Sequence, residues 1–448
     1  MLAELKKLYD KIPKKYIYFL KYIPDRLLFG KSYKTWEDKL SFDKNIINKN
    51  LLDTLTYARV NTKFGMDNIP DNLTLKNVRE VLESLPLVSS YDLSTNLNYY
   101  ASKEFKDKNS YLTTTGGAGG NPTSITLSNE SYGVEWIHIH HIWSFTETNY
   151  KKSKDLILTL RGKSLKGTKL VEFNPVYNEL VVDTFKVKDS NSKEFINKIR
   201  KYNIKYILAY PSLLKEFIGY FEKHNYKPSI KGVFLGSEGT TSEDKKHISK
   251  FFNCRVVHWY GQTEKVALAV DVDSNDMFRV YTSYGYPRIV NGELVSTSFV
   301  NKALPLINFM TGDGAEIIEN DKHIYIKNLK SRRGKDFVYL DENKKIPTTS
   351  INLHSKIQDD IVSYQIHQNK FAKIEIRVLQ KTSSKMDSKK LLKIFTLEMK
   401  ENLKDFKIEV KLVNEDKIVK SHRGKKIFLV QELKLNNGEK KYKKNQSL

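Results

Sequence analysis

The stretch Thr113-Thr114-Thr115-Gly116-Gly117-Ala118-Gly119-Gly120-Asn121-Pro122 has the composition of an anion cradle. Glycines let a backbone approach a ligand closely, successive N–H groups form a nest for negative charge, and threonine hydroxyls add donors for phosphate oxygens. The Gly-Lys-Ser/Thr ending of a P-loop is missing, and taken alone the stretch also reads as a flexible turn. A second candidate is Tyr260-Gly261-Gln262-Thr263-Glu264, directly after an apolar run ending at His258. A carboxylate there can hold Mg²⁺ on a nucleotide phosphate, and the aromatic ring can pack on a base. Gly236-Ser237-Glu238-Gly239 follows the preceding apolar run in the same way. For both, a plain surface loop is the alternative. Thr311-Gly312-Asp313 places a carboxylate after an expected tight turn, where its two oxygens can accept both hydroxyls of a ribose. Such tripeptides are also common in turns without ligands.

These loops need a rigid support. Between 156 and 258, short apolar runs (156–160, 180–182, 206–209, 232–235, 255–258) alternate with helical patterns (192–202, 212–225, 242–252). That alternation predicts a largely parallel sheet covered on both faces, whose ligands sit at the carboxyl ends of the strands. Residues 1–110 read as helices, with Leu75, Val78, Leu82 and Leu85 at helical spacing after Pro70. The Thr113–Pro122 stretch reads as a turn, and the polar-aromatic residues that follow, up to Tyr150, as one long helix. Past Ser283 the pattern loosens into short β segments at 292–297 and 323–326, then a charged linker at 330–335. Beyond it, strands at 373–379, 407–413 and 427–433 and a helix at 387–405 make a second, α+β unit. Residues 434–448 read as a basic, disordered tail. The expected fold class is α/β: a large N-terminal α/β domain, 1–335, with a parallel sheet plus helices, and a smaller C-terminal α+β domain, 336–433.

The chain has 448 residues, of which 40% are apolar, enough for sizeable cores. Its single cysteine, Cys254, excludes an intramolecular disulfide and a multi-cysteine metal site, and fits a reducing compartment. No run of about 18 apolar residues is present, and Glu4 and Asp10 spoil a signal peptide. A cytoplasmic location is expected. Net charge is +24, and the last 112 residues, from Phe337, carry 25 Lys and Arg against 14 Asp and Glu. Lysine spread over the whole chain argues for composition more than for a polyanion surface, and the basic pieces 332–335 and 422–426 lack the interleaved aromatics of a nucleic-acid groove. A catalytically silent polyanion binder stays open as the reading from another class. His138, His140 and His141 invite a metal reading, but on a helix only His138 and His141 share a face, with Glu135 as the one carboxylate in reach.

In combination these pieces are specific. A Gly/Thr loop ending in Pro122, Ser237-Glu238, Tyr260-Gly261-x-Thr263-Glu264, Thr311-Gly312-Asp313 and Arg333-x-x-Asp336 follow one another in the order found in the adenylate-forming superfamily. Tyr210-Pro211-Ser212, Tyr364-Gln365-Ile366-His367-Gln368 and Gly424-Lys425 are similar to its branch of phenylacetate–CoA ligase and CapK-type capsule-biosynthesis proteins. The resemblance covers roughly residues 20–433. It implies an N-terminal domain that binds ATP and a carboxylic acid, a mobile C-terminal lid, and transfer of the activated acyl group to an amine or to CoA. Thr113, Thr114, Thr115, Gly116, Gly117, Gly119 and Gly120 would hold the ATP phosphates. Ser237 and Glu238 would border adenine beside Tyr260, Gly261 and Thr263 would be further cofactor-binding residues, Glu264 would bind Mg²⁺, and Asp313 would take the ribose. Arg333 would contact the nucleotide, Asp336 would be the hinge, and Lys425 would enter with the lid as the catalytic cation. Trp136, His140, Trp143 and Tyr210 are the expected substrate contacts. Some positions depart from the family pattern: Asn121 stands where a lysine is usual, Ala118 and Gly119 where hydroxyl residues are, Arg332 where a glycine is, and Lys426 beside Lys425 offers a second candidate cation. The identity of the acid, the acceptor and the oligomeric state stay open.

Overall fold

The computed structural model of the chain describes residues 14–105, 108–115, 123–330, 337–342, 344–348, 351, 357, 360–381, 384–419 and 427–433. The chain divides into two compact units, Met1–Thr115 with Thr123–Gly334, and Gly116–Pro122 with Lys335–Leu448.

In the first unit a hairpin, β1 (Ser110–Thr115) and β2 (Thr123–Ser128), precedes the main sheet. The main sheet comprises β3 (Leu156–Lys163), β4 (Val171–Asn174), β5 (Glu179–Asp183), β6 (Ile204–Ala209), β7 (Gly232–Leu235) and β8 (Arg255–Gly261). It continues through β9 (Leu268–Asp271), β10 (Phe278–Val280), β11 (Gly285–Val290), β12 (Glu293–Ser298), β13 (Phe309–Glu319) and β14 (Ile324–Lys330). Among the described residues it is one twelve-stranded sheet of order β11-β12-β13-β14-β10-β9-β8-β7-β6-β3-β5-β4. Strands β5, β3, β6, β7 and β8 pair in parallel, while β4 and β9 to β14 pair antiparallel with their neighbours. The expected parallel sheet is therefore the centre of a mixed one. Parallel neighbours need a crossover helix, and helical patterns stop after 252; beyond that point short turns can join only antiparallel strands.

Alternation along the parallel strands feeds two cores. Leu156, Leu158, Leu160, Ile207, Val233 and Leu235 face the helices α3 (Ser192–Ile199), α4 (Pro211–Lys223) and α5 (Ser242–Phe252). Ile157, Tyr206, Leu208, Phe234 and Val257 face the other way, into a core shared with Val134, Ile142 and Trp143 of α2 (Asn129–Ser144). Successive side chains on a strand point to opposite faces, so continuous apolar runs are what a doubly covered sheet requires. Helix α4 opens with Pro211 and buries Leu214, Phe217, Ile218 and Phe221 along one stripe. Among the described residues before 110, which begin at residue 14, helices are present as predicted, among them α1 (Ile47–Asn61), with Leu51, Leu55 and Ala58 buried; residues 1–13 lie outside the described residues.

Two predicted elements change. Thr113–Thr115 lie in β1 rather than in a turn, as suits β-branched residues. The long helix expected after Pro122 begins only at Asn129. Before it, β2 buries Ile125 and Leu127 on one face, and Ser128 caps the helix by accepting from Ser131 N at 3.1 Å.

The second unit holds a hairpin, β15 (Phe337–Tyr339) with β16 (Lys345–Pro347), and a four-stranded sheet. In the latter, β17 (Ile361–Lys370) pairs antiparallel with β18 (Lys373–Gln380), and β19 (Lys407–Leu412) and β20 (Leu429–Gln431) flank them in parallel. Helix α6 (Ser388–Asn402) supplies Leu391, Phe395 and Met399, four residues apart, to a core with Ile366, Ile374 and Ile376. Among the described residues no helix is long and apolar enough to cross a membrane.

Candidate active site

The carboxyl ends of the parallel strands and the loops that leave them carry Tyr210, Ser237, Glu238, Tyr260, Gly261, Thr263 and Glu264 of the candidate residues. After β7, a Cβ on Gly236 would lie 2.8 Å from the Trp259 ring, so a side chain there would displace the indole. Ser237 follows with φ +69°, a strained conformation for a residue with a side chain, and its Oγ meets Arg161 Nη2 at 3.0 Å. Arg161, near the end of β3, also lies 5.4 Å from the centre of the Tyr210 ring, directly after β6. Glu238 is buried, and its Oε2 accepts from Ser212 N at 3.1 Å. That bond satisfies one of the orphan N–H groups of the first turn of α4. The Glu238 carbonyl accepts from His258 Nε2 at 3.0 Å, which places the imidazole proton on that nitrogen. Burial pushes His258 down to about 4, so the ring is neutral at pH 7.

Near the carboxyl end of β8, the Tyr260 hydroxyl donates to Asp313 Oδ2 at 2.7 Å and is itself held by the Gln262 amide. Burial and the neighbouring Asp313 charge push Tyr260 well above its ordinary range, so it remains a donor. The expected tight turn at Thr311-Gly312-Asp313 is instead part of β13. Gly312 takes φ +82°, the register on either side is irregular, and Glu293 Oε1 accepts from Gly312 N at 2.8 Å. A bulge of this kind aims a side chain out of a strand as a turn would. Thr263 is exposed and Glu264 partly exposed in the turn after Gly261. Next to them Lys265, φ +55°, is buried and pairs with Glu135 of α2.

Seven buried side-chain polar atoms have no hydrogen-bond partner among the described residues, and three of them are on or next to the strands that carry the site: Ser212 Oγ, His258 Nδ1 and Gln262 Oε1. Ser212 and Gln262 lie just beyond the carboxyl ends of β6 and β8, and His258 lies within β8 opposite Leu235, the last residue of β7. Folded proteins rarely leave such atoms unpaired, so this is where a bound ligand or ordered water belongs.

Toward the α2 side of the sheet lies a cavity of about 340 Å³. One face of β3, Ile157, Thr159, Arg161 and Lys163, forms part of its floor, and Trp136, His140 and Trp143 of α2 part of its wall. Three of the four expected substrate contacts thus meet in one cavity, and Tyr210 adjoins it through Arg161. Burial and the nearby Lys152 ammonium push His140 down to about 4 against the attraction of Asp25, and its Nδ1 meets the Tyr33 hydroxyl at 2.7 Å. His138 uses Nδ1 on Val134 O at 2.7 Å and Nε2 on Ser283 Oγ at 3.2 Å, while His141 meets the Tyr281 hydroxyl at 2.6 Å. The three imidazoles are engaged with separate partners. Among the described residues no three His, Cys, Asp or Glu gather as a metal site. Glu264 is a single, partly exposed carboxylate, and Mg²⁺ asks no more than one or two carboxylates of a protein when it keeps its waters.

Thr113 pairs with Ile125 and Thr115 with Thr123, so the hairpin delivers both ends of the Gly-rich segment. Gly116, Gly117, Gly119 and Gly120 lie outside the described residues, as do Arg332, Arg333, Asp336, Lys425 and Lys426. Sequence reasoning passed over Arg161 and Lys163. Their signal is two cations at alternate positions just after an apolar run.

No protein-family model matches the chain. It is 23% identical over 414 residues to protein CapK of Staphylococcus aureus, covering 86% of this chain and 89% of that protein. Its fold is similar to that of 2-hydroxyisobutyryl-CoA ligase in the postadenylation state with R3-HIB-AMP, at a TM-score of 0.50 and 13% identity over 86% of this chain and 89% of the ligase. The same ligase with 2-HIB-AMP and CoA in the thioesterification state matches at 0.50 and 13%, over 87% and 90%. The chain is thus a relative of CapK with the fold of an adenylate-forming ligase.

Proposed function

We propose that the protein activates a carboxylic acid with ATP as an acyl-adenylate and passes the acyl group to an acceptor, by preference an amine; CoA is the alternative. The observation that carries this reading is the bond between Tyr260 and Asp313, 53 residues apart, beside the Ser237–Glu238 loop at the carboxyl ends of the parallel strands. A buried, un-ionised phenol fixes the carboxylate as an acceptor for ribose hydroxyls, while Ser237, Glu238 and Tyr260 frame the place for the base.

In the reaction an oxygen of the substrate carboxylate bonds to the α-phosphorus as the bond to the pyrophosphate oxygen breaks. Charge builds on phosphoryl oxygens, so the residues act by positioning and electrostatics. Mg²⁺, held by Glu264, would supply charge neutralisation on the departing phosphates. The Thr113–Gly120 segment would bind phosphates through N–H and hydroxyl groups, Arg333 would contact the nucleotide, and Lys425 would provide a cation near the reacting oxygens. Asp336 would be the hinge that withdraws Lys425 for acyl transfer, with residues 336–433 as the moving lid and 434–448 as a tail. A cytoplasmic location and a place in surface-polysaccharide or secondary-metabolite synthesis fit the CapK likeness.

ATP–pyrophosphate exchange across a panel of acids tests the reading, with Lys425→Ala as control. Acid-dependent exchange that falls at least a hundredfold in the variant is the expected result. Absence of both exchange and ATP binding overturns it in favour of a polyanion binder. Adding candidate amines or CoA to the preformed adenylate then identifies the acceptor, because only the true one discharges it.

A further inference from the structure

Far from the loops of the candidate site, four large apolar side chains within ten residues of the chain stand open to solvent. Tyr18 is 62% exposed, Phe19 64%, Tyr22 59% and Leu27 60%. They belong to the 3₁₀ helix Lys14–Tyr22 and the short helix Asp25–Leu28. Single apolar residues on a surface are ordinary, but a group of them marks a contact. The Phe19 and Tyr22 rings lie 6.5 Å apart, and the Lys21 ammonium sits 5.2 Å from the centre of the Tyr22 ring. The segment that carries them is tied down. Tyr18 stacks at 5.3 Å on Phe173 of the edge strand β4, the Ile23 carbonyl accepts from Lys152 Nζ at 2.8 Å, and Leu28 and Phe29 are buried.

Charge gathers at the same place. Between residues 18 and 34 the chain carries Lys21, Arg26, Lys31 and Lys34 against one acidic residue, Asp25. Asp25 is already paired with Lys152 at 3.1 Å. Beside Tyr22 lies a polar cavity of about 350 Å³, whose lining includes Lys21, Tyr22, Asp25, Asn149, Lys151 and Ser153. Among the described residues neither Lys21 nor Lys151 meets a carboxylate, so the cavity offers two ammonium groups with hydroxyl and amide groups between them. That set suits a phosphate oxyanion. Open rings next to cations distinguish the likely classes of partner by their chemistry: the core of a protein interface is rich in aromatics but poor in lysine. At a bilayer surface the two occur together, rings at the level of the headgroups and cations on the lipid phosphates.

We infer that this surface docks the protein on an anionic phospholipid bilayer, with Phe19 and Tyr22 entering the headgroup layer and Lys21 and Lys151 meeting lipid phosphates. The segment lies on the membrane and does not span it. Each cation brought near an anionic surface is worth roughly fivefold in binding, and one small apolar insertion keeps the contact reversible. The inference does not rest on adenylate formation, and its test leaves that reading untouched.

The full chain is floated with vesicles of phosphatidylcholine, alone or with about a third phosphatidylglycerol, at about 0.1 M and about 0.5 M NaCl. The expected result is binding to the anionic vesicles at least tenfold tighter than to the neutral ones, and weaker at high salt. Phe19→Ser with Tyr22→Ser lowers that binding at least tenfold, and so does Lys21→Gln with Lys151→Gln; an unchanged urea midpoint shows that each variant is folded. Phe19→Trp reads the contact without removing a ring, because brominated phosphatidylglycerol quenches the added fluorescence. Anionic binding that the aromatic variant leaves intact belongs to the net charge of +24 and overturns the inference. Equal binding to both kinds of vesicle, binding to neither, or an added tryptophan that stays unquenched overturns it as well. A dimer in sedimentation equilibrium that the aromatic variant dissolves, without vesicle binding, gives the patch to a second copy of the chain instead.

Discussion

At the scale of single residues, the site depends on carboxylates whose partners fix their direction. Asp313 is oriented by the Tyr260 hydroxyl at 2.7 Å, and Glu238 is turned to the first turn of α4 at Ser212 N. Asp313→Asn is therefore expected to lower kcat/KM for ATP at least tenfold, because one of the two acceptor oxygens becomes a donor. Tyr260→Phe, which leaves Asp313 in place without its brace, is expected to cost about three- to tenfold, or about 0.7–1.4 kcal/mol. Exchange kinetics at saturating acid measure both, and equal effects would contradict a ribose role for Asp313. The residue types at 260 and 313 were readable from the chain as a ring and a carboxylate. Their contact was not, since nothing in the residues between them states that β8 and β13 bring them to one place. Glu238 shows the converse: its loop was readable, but the partner of its carboxylate is a helix N-terminus that only the packing of α4 supplies.

Among the elements, the strands hold the loops and two of them can be probed directly. Phe234 on β7 is sandwiched between Trp143 of α2, at 4.5 Å, and Tyr206 of β6, at 5.1 Å, and is fully buried. Phe234→Ala is expected to destabilise the first unit by about 3–5 kcal/mol, read as a lowered urea midpoint. In the second unit Gln365 of β17 acts as a side-chain extension of the ladder. Its amide donates to Val419 O at 2.9 Å and Ile427 O at 2.6 Å, and its oxygen accepts from Val419 N at 3.0 Å. Residues 419 and 427 bracket the segment that contains Lys425. Gln365→Ala loses these three part-buried hydrogen bonds and a fourth, from His367 Nε2 at 2.8 Å, and is expected to cost about 2–3 kcal/mol; Gln365→Glu, which keeps only the acceptor, should fall between. Hydrogen exchange at Val419 and Ile427 reports the loss, and unchanged protection there would refute the clamp. Strands β3 and β5 to β8 were legible because continuous apolar runs survive without context. Strand β2 left a fainter trace, Ile125 and Leu127 alternating with hydroxyl residues, which a run of threonines and serines obscures. The long strand β13 was hidden because its middle, Thr311-Gly312-Asp313, imitates a turn.

For the whole molecule, burial ties stability to pH. His138 is pushed down to about 3, and His140 and His258 to about 4, chiefly by burial. In the unfolded chain each takes up a proton near pH 6.5, which the folded chain cannot accommodate until lower pH. Stability should thus be full above pH 6.5 and fall steadily as pH drops toward 4. Urea midpoints measured from pH 8 to 4 test this, and a flat profile down to pH 4.5 would contradict it. Lys245 adds a second vulnerability, since it is wholly buried against Asp271 and reaches Asp276 at 2.5 Å. Asp271→Asn leaves a buried ammonium short of charge, at a cost of about 3–5 kcal/mol. What the sequence determined alone was the α/β class, the order of the central strands and helices, and the chemical types in the loops that follow them. These are properties of local periodicity and composition, and they do not depend on distant partners. Tertiary structure decided that the sheet is mixed, that Asp313 meets Tyr260, and that Arg161 and Lys163 share a cavity with Trp136 and Trp143. Each of those facts joins residues far apart in the chain, and strand order and helix placement, which no local pattern encodes, set the distances between them.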